Sequence, residues 1–235
     1  MKTIGLIGGT TWLSTAEYYR IINKQVSERL GGANSAKLVL YSVNFEEFQP
    51  PEDWEGWLRT ASALSHIAGK LEHAGADCLL LCSNTMHIIA DEVQHRVNIP
   101  VLNIVEETAK EIVKRKVSKV ALLGTRFTME EPFFRKELSK FDITSLVPAA
   151  DDREFIHSSI YKEFDKGIFR AETKRKYLEI INELESQGAE GVILGCTEIP
   201  LLIQPDDCAI PVFDTTLIHS TAAVDFALEE QTIAI

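Results

Sequence analysis

The chain has 235 residues, of which 45% are hydrophobic and 25% are charged, a composition typical of a globular protein with a sizeable core. Its formal net charge of −11 repels phosphate backbones and anionic lipids, and no dense stripe of Lys or Arg offsets that charge, so we expect neither a nucleic-acid nor a membrane partner. The apolar run at the N-terminus is too short for a signal sequence, and the four scattered cysteines do not form a disulfide scaffold, so we expect a cytoplasmic protein.

Nearly continuous apolar runs alternate with helical patterns along the chain. Such runs are typical of parallel strands that are covered on both faces, and the β-α-β-α order predicts an α/β fold with mostly parallel sheets flanked by helices. The predicted strands cover residues 3–7, 37–43, 78–81, 120–123, 143–147, 191–194 and 212–213. The predicted helices cover residues 16–30, 57–74, 84–96, 104–116, 131–140, 173–187 and 217–228.

The second half of the chain repeats the first. Residues 75–85 recur as residues 188–198, a shift of 113 positions, and two further segments recur in the same order with similar shifts. Three ordered matches predict an internal duplication and therefore two similar lobes. Because the last helix is expected to pack back on the first lobe, that lobe is predicted to cover residues 1–103 plus about 214–235, and the second lobe residues 104–213.

Polar side chains follow the predicted strands in both halves. In open parallel sheets, ligands bind at the carboxyl ends of the strands, so these side chains are candidates for orienting a small molecule without any cofactor. Trp12 could line such a site or only cover it. The candidates are Thr10, Thr11, Asn84 and Thr85 in the first half and Thr125, Thr128, Thr197 and Glu198 in the second half.

The duplication aligns Ser83 with Cys196 and Cys82 with Gly195. A helix start after a strand offers unpaired N–H groups and a positive dipole end, so Cys196 is predicted to be an activated thiol. Ser83 then occupies the matching position of the first half, although capping a helix is the ordinary use of a serine there. An auxiliary role stays open for Cys82, and His87 could polarise the Ser83 hydroxyl or only pack beside it. The histidines and cysteines lack metal-ligand spacing, so no metal site is expected.

The residues just described resemble those of the aspartate/glutamate racemases that act without pyridoxal phosphate. The resemblance is carried by residues 4–9, 82–87 and 195–198, and it spans nearly the whole chain. It implies two α/β lobes with the active site between them, a homodimer, an amino-acid substrate and no cofactor. It also implies two cysteines on opposite faces of the substrate's α-carbon, one of which removes the α-proton while the other returns it.

This chain departs from the family pattern at the first cysteine, because Ser83 precedes Asn84 where the family has Cys-Asn-Thr. The predicted catalytic pair is therefore Cys196, which removes the proton, and Ser83, which returns it directly or through a water. A hydroxyl is a much weaker acid than a thiol, so we expect efficient turnover of only one enantiomer.

A second departure concerns the cationic groups that hold an acidic side chain in the family. The loop at residues 44–50 has no arginine, although Lys166 lies near the expected second position and Lys162 or Arg126 could also hold a distal carboxylate. Gln49 could instead take a neutral polar side chain. Aspartate or glutamate is thus the leading substrate, with a broad-specificity amino-acid racemase as the alternative.

Two further classes of protein fit the same residues. A single-thiol decarboxylase or isomerase of the same superfamily would keep Cys196 and tolerate loss of the first thiol. A non-enzymatic amino-acid-binding protein with two lobes would need no thiol at all. Exchange of the α-hydrogen with solvent deuterium, without release of carbon dioxide, distinguishes a racemase from both.

Overall fold

The structure, a computed structural model, describes residues 1–229. The chain forms two compact units, the first lobe (Met1–Ile104 and the chain from His219 onward) and the second lobe (Val105–Ile218). The lobe boundaries given from the sequence stay predictions, and their residues 230–235 lie outside the described part of the chain.

Strands and helices alternate in both lobes. The strands are β1 (Ile4–Gly8), β2 (Leu38–Ser42), β3 (Cys78–Leu81), β4 (Lys119–Gly124), β5 (Thr144–Leu146), β6 (Gly191–Gly195) and β7 (Val212–Asp214). The helices are α1 (Trp12–Leu30), α2 (Trp54–His73), α3 (Ala90–Gln94), α4 (Ile104–Lys114), α5 (Arg126–Glu130), α6 (Pro132–Ser139), α7 (Ala150–Lys162), α8 (Ala171–Ser186), α9 (Ile199–Leu202) and α10 (Thr215–Leu228). Short 3₁₀ turns cover Phe45–Phe48, Thr85–Ile89, Phe164–Lys166 and Pro205–Asp207.

The two lobes contain parallel sheets of the same topology. The first sheet has the order β2-β1-β3 and the second has the order β5-β4-β6-β7. An isolated parallel bridge between Leu79 and Val101 occupies the place that β7 takes in the second lobe. These findings confirm the α/β fold with two parallel sheets, and the shared strand order is what the internal repeat of the sequence leads one to expect.

Burial explains why these segments become strands and helices. Every residue of β1, β3 and β6 is buried, as is usual for parallel strands with helices on both faces. In the first lobe, Tyr18, Ile22 and Val26 form a stripe with a spacing of four residues on α1, and they pack into one core with the central strands and α10. In the second lobe, α7 and α8 pack into the core around β4 and β6.

Four helical segments differ from the sequence-based predictions. The helix predicted over residues 84–96 is instead the 3₁₀ turn Thr85–Ile89 followed by the short α3, so its first part follows a tighter path. The short helices α5 and α9 were not predicted. The longest helix that was not predicted is α7, which the sequence analysis missed because its apolar stripe is narrow. Ile156 and Ile160 are its only fully buried apolar residues, and Asp151 and Asp152 open its first turn.

Candidate active site

The turn after β1 is fixed by hydrogen bonds among hydroxyl residues. Gly9 has a φ of 98°, and a Cβ at this position would collide with the backbone of Val43, so glycine is required there. The Gly9 N–H donates to Thr15 Oγ1 at 2.7 Å, and that hydroxyl donates to the carbonyl of Thr11 at 2.9 Å. Thr11 is the N-cap of α1, where its side chain accepts the N–H of Ser14 at 3.2 Å.

Ser83 lies just beyond β3, before the 3₁₀ turn, and its side chain is 9% exposed. Two side chains hold the backbone around it. Ser14 Oγ donates to the carbonyl of Cys82 at 2.9 Å, and His87 Nδ1 lies 2.7 Å from the carbonyl of Ser83 itself. Within residues 1–229, no side-chain base forms a hydrogen bond with the Ser83 hydroxyl.

The surroundings of Cys82 and His87 decide between the roles left open by the sequence. Cys82 is completely buried in the apolar core of the first lobe, where desolvation raises the pKa of its thiol, and this placement speaks against an auxiliary role. The His87 ring contacts the Ser83 carbonyl and the N–H of Ile104, not the Ser83 hydroxyl. Of the two roles left open for His87, these contacts favour packing beside Ser83 over polarising its hydroxyl.

In the second lobe, Cys196 directly follows β6 and is 7% exposed. Its thiol donates to Glu198 Oε2 at 3.0 Å, and the Thr197 hydroxyl donates to the same oxygen at 2.7 Å. Glu198, which the sequence analysis assigned to substrate binding, is thus in contact with the thiol. A buried thiol with a carboxylate at hydrogen-bond distance is an acid–base pair through which a proton can pass.

The pKa of the Cys196 thiol lies well above its ordinary value, chiefly because burial disfavours the thiolate and then because of the Glu198 charge. Only the single-turn α9 follows Cys196, so a helix dipole contributes little to stabilising the thiolate, and activation of this thiol stays a prediction. Two more acidic groups share this environment. Burial and the charge of Glu198 raise the pKa of Asp165 to about 7, and burial raises the pKa of Tyr161, with the charge of Cys196 as the next cause.

Thr125 and Thr128 are buried next to the ends of β4 and β6. Thr125 caps α5 by accepting the N–H of Thr128 at 3.3 Å, and the two hydroxyls lie 3.3 Å apart. The methyl group of Thr128 fills the space that a Cβ on Gly124 or Gly195 would occupy. This packing accounts for Thr128 without any contact to a ligand.

The remaining candidate residues differ in exposure. Arg126 is exposed. The pKa of His157 is lowered first by burial and then by the charge of the Arg126 guanidinium, and the same charge opposes the rise in the pKa of Tyr161. Arg126 therefore lies within electrostatic reach of the groups around Cys196. Asn84, Thr85 and Thr197 are buried, Thr10 is partly exposed, and Trp12, Gln49 and Lys166 are exposed.

Sequence reasoning missed Asp165 and Tyr161 as neighbours of Cys196. Tyr161 lies on α7, the helix that was not predicted, and its ring centroid is 4.8 Å from that of His157. Asp165 belongs to the 3₁₀ turn that follows, which ends at Gly167 with a φ of 69°. The sequence signal that could have indicated Asp165 is the Asp-Lys-Gly turn in which it lies, where only Lys166 was a candidate.

Residues 1–229 contain neither a metal-ligand cluster nor a helix suited to a membrane span. No group of three or more His, Cys, Asp or Glu side chains in this part of the chain could hold a metal ion. None of the helices described for these residues combines the length and the apolar composition that a membrane span requires.

The fold and the site together define a duplicated α/β protein that carries a serine hydroxyl and a cysteine thiol at corresponding strand ends. The family model for Asp/Glu/Hydantoin racemases matches residues 7–223, so the chain belongs to this family. It is therefore an enzyme of the isomerase class, an amino-acid racemase of the kind that works without pyridoxal phosphate.

Several similar proteins align with this chain over almost its full length. The broad-specificity amino-acid racemase RacX of Bacillus subtilis (strain 168) is 27% identical, with 97% of this chain and 99% of RacX aligned. A crystal structure of a candidate Asp/Glu racemase from Yersinia pestis has a TM-score of 0.91 and 45% identity, covering 97% of this chain and 100% of that one. An aspartate racemase homologue from Pyrococcus horikoshii OT3 has a TM-score of 0.85 and 40% identity, with 97% and 99% covered.

Proposed function

We propose that this enzyme racemises a free amino acid without a cofactor, with Cys196 and Ser83 as the two proton-transfer groups. The observation that carries the proposal is the equivalent position of the two residues. Ser83 is the second residue after Leu81, which pairs with Ile7 of β1, and Cys196 is the second residue after Leu194, which pairs with Leu123 of β4. Each residue thus stands at the same place in its own sheet.

The proposed reaction begins with proton removal by Cys196. The thiol first passes its proton to the Glu198 carboxylate, since full ionisation of the thiol would place two negative charges about 3 Å apart in a buried site. The thiolate then takes the α-proton, the C–H bond breaks, an S–H bond forms, and the electron pair stays on the α-carbon and its carboxylate. The Ser83 hydroxyl, or a water bound to it, supplies a proton to the opposite face and is reprotonated from solvent, while Glu198 releases the proton that it took from the thiol.

The two proton-transfer groups of this reaction are unequal. Within residues 1–229 no side-chain base is hydrogen-bonded to the Ser83 hydroxyl, whereas the Cys196 thiol has Glu198. Because the two enantiomers are equally stable, kcat/KM for inversion must be the same from either one, so efficient turnover of only one enantiomer is ruled out. The inequality should appear instead in exchange without inversion, which should be faster for the enantiomer whose α-hydrogen is removed by Cys196.

Aspartate or glutamate is our first candidate substrate, with Arg126 and Lys166 as the cationic groups for a distal carboxylate. Two observations favour a broad substrate range as the second candidate. The loop with Gln49 offers a neutral polar side chain in place of an arginine, and the full-length relative RacX is a broad-specificity racemase. The homodimer and the cytoplasmic location remain proposals that rest on the family resemblance and the composition.

The test is a screen of free L- and D-amino acids for α-hydrogen exchange in deuterium oxide, with chiral separation of the recovered amino acids. We expect deuterium incorporation and inversion for at least one amino acid, without loss of carbon dioxide. Cys196→Ala should abolish both, while Cys208→Ala, which removes a half-buried thiol of the same lobe, should retain them. Full activity of Cys196→Ala would refute the proposal.

A further inference from the structure

The first lobe contains two buried histidines that the proposed reaction does not use. The His87 and His219 rings pack edge to face with centroids 5.6 Å apart, and neither side chain is more than 4% exposed. The Tyr18 hydroxyl is 2.9 Å from His219 Nδ1, and the other ring nitrogen of His219 is 2.8 Å from the carbonyl of Leu102. The three side chains come from the turn after β3, from α1 and from α10.

The hydrogen-bond partners fix the state of both rings. The N–H of Ile104 can only donate, so His87 Nε2 accepts from it at 3.1 Å, and His87 Nδ1–H donates to the Ser83 carbonyl. The carbonyl of Leu102 can only accept, so His219 Nε2–H donates to it and Nδ1 accepts the Tyr18 hydroxyl. Each nitrogen of both neutral rings therefore has a hydrogen-bond partner.

These contacts join the Ser83 turn to the places where the chain passes between the lobes. Ile104 is the last residue of the first lobe before the second begins, and His219 is the residue at which the chain returns. The His87 ring thus fixes the Ser83 carbonyl from one side, while Ser14 fixes the preceding carbonyl from the α1 side. The direction of the Ser83 Cα–Cβ bond follows from the backbone that these two contacts hold.

We propose that His87 is a positioning residue for the Ser83 hydroxyl, and that His219 and Tyr18 hold the His87 ring in this role. The inference rests on the proposed function, because the orientation of the Ser83 side chain affects the reaction only if Ser83 transfers a proton. His87 takes no proton from the substrate and none from the Ser83 hydroxyl. Its contribution is geometric, and a displacement of about 1 Å in a proton-transfer group can lower a rate by about 100-fold.

Two substitutions at His87 separate its two contacts. In His87→Asn the amide nitrogen can take the place of Nδ1 and still donate to the Ser83 carbonyl. In His87→Gln the longer side chain reaches the place of Nε2 and the Ile104 N–H, but it leaves the Ser83 carbonyl without its donor. The exposed His66 on α2 provides a matched histidine control, His66→Gln.

The measurement is made in deuterium oxide with the enantiomer that Cys196 deprotonates as the substrate. It compares the amount of deuterium in the recovered starting enantiomer with the amount in the inverted product. Deuterium in the recovered starting enantiomer reports Cys196 alone, whereas deuterium in the inverted product requires Ser83. We expect His87→Gln to lower the ratio of inversion to retained exchange by at least about 10-fold, and His87→Asn and His66→Gln to leave it within about twofold. A purely structural role would lower both processes together and leave the ratio unchanged.

The outcomes separate the two proposals. If the wild type shows neither exchange nor inversion with any amino acid, the proposed function fails. If the wild type is active and His87→Gln keeps the wild-type ratio, the positioning role is overturned. Should His87→Gln fail to fold, Tyr18→Phe carries the test, because it removes only the hydroxyl that holds His219. A lowered ratio in Tyr18→Phe supports the proposal, and an unchanged ratio overturns it.

Discussion

The thiol of Cys196 and the carboxylate of Glu198 form a coupled pair in which one proton is shared over 3.0 Å. Moving that proton from sulfur to oxygen keeps the total charge of the pair constant, whereas losing it to solvent adds a charge in a buried place. A raised thiol pKa is therefore compatible with a reactive cysteine, provided that the carboxylate stays beside it. In the proposed reaction Glu198 is therefore a proton acceptor and not only a binding residue.

Replacing Glu198 by glutamine separates the two effects of the carboxylate. In Glu198→Gln the thiol pKa should fall, because the neighbouring negative charge is removed, yet it should stay above the ordinary value because burial persists. The proton acceptor is lost as well, so kcat should fall by about 10²–10⁴-fold. The pH dependence of iodoacetamide labelling, followed on the Cys196 peptide by mass spectrometry, measures the thiol pKa.

Asp206→Asn is the control, because it removes an exposed carboxylate of the same lobe without touching the thiol. Its labelling profile and kcat should match those of the wild type. A Glu198→Gln enzyme with an unchanged or higher thiol pKa would show that the charge of Glu198 does not act on Cys196 in solution.

Ser83 determines how unequal the two proposed proton-transfer groups are. In Ser83→Cys a thiol replaces the hydroxyl, and because a thiol is the stronger acid, its conjugate base forms more readily. Exchange without inversion from the enantiomer that the first lobe must deprotonate should rise by at least about tenfold relative to that from the other enantiomer. Chiral chromatography with mass spectrometry of reactions started in deuterium oxide from pure L and pure D substrate measures both rates, with Ser83→Ala expected to lose inversion in both directions. An unchanged ratio of the two exchange rates in Ser83→Cys would contradict this account.

At the scale of elements, the turn after β1 is packed so closely that one of its positions accepts only glycine. Gly9→Ala would force a side chain into the left-handed region and also into the backbone of Val43. Gly75→Ala is a matched control, because Gly75 has a similar φ of 90° but no neighbour within 4 Å of its added Cβ. We expect Gly75→Ala to cost about 1 kcal/mol of unfolding free energy and Gly9→Ala about 2 kcal/mol more. Urea denaturation of the two variants tests this, and equal losses would mean that the Val43 contact relaxes without cost.

The elements of the fold were largely predictable because parallel strands leave a strong signal. The run at Cys78–Leu81 was predicted with its observed bounds, since a fully buried strand reads as continuous apolar sequence. The first part of the segment over residues 84–96 was not predictable in the same way. Its path depends on His87, whose partners Ile104 and His219 are remote in the sequence, and no local pattern records such contacts.

The positions of the candidate site residues were predictable in part. Repeat alignment placed Ser83 and Cys196 at equivalent strand ends, as the structure does, because a duplication preserves position relative to the strands, while their roles in proton transfer stay predictions. It could not identify Asp165 or Tyr161, which approach Cys196 only after α7 has packed against the second sheet. It also could not distinguish a Glu198 that binds substrate from one that accepts the thiol proton, because that depends on the direction of one side chain.

At the scale of the whole molecule, the two lobes should respond to pH in opposite directions. In the first lobe, burial lowers the pKa of His87 to about 4 and that of His219 to about 3, against 6.5 for an ordinary histidine. At pH values between these lowered pKa values and the ordinary histidine pKa, the unfolded chain binds protons that the folded lobe does not. The free energy of unfolding therefore falls as the pH decreases from about 6.5, by about 1.4 kcal/mol per pH unit for each histidine.

Asp165 in the second lobe changes the free energy of unfolding with pH in the opposite direction. Its pKa is raised from 3.8 to about 7, so the folded lobe holds a proton that the unfolded chain has lost. The stability that this proton contributes is lost as the pH rises toward 7. Because Asp165 is partly exposed, its effect should be local and smaller than that of the buried histidine pair.

Hydrogen–deuterium exchange at about pH 5 and about pH 7.5, corrected for the intrinsic exchange rates, tests both signs in one experiment. Peptides covering residues 83–90 and 215–228 should lose protection at the lower pH, by up to about 4 kcal/mol for the two histidines together. Peptides covering residues 160–167 should lose protection at the higher pH. His87→Asn should remove about half of the acid effect in the first lobe, and Asp165→Asn should remove the alkaline effect in the second. If both lobes lost protection at the same pH, either the neutral state of the histidine pair or the raised pKa of Asp165 would be wrong. The two variants identify which one, because only a group that titrates as described changes the pH dependence of its own lobe when it is replaced.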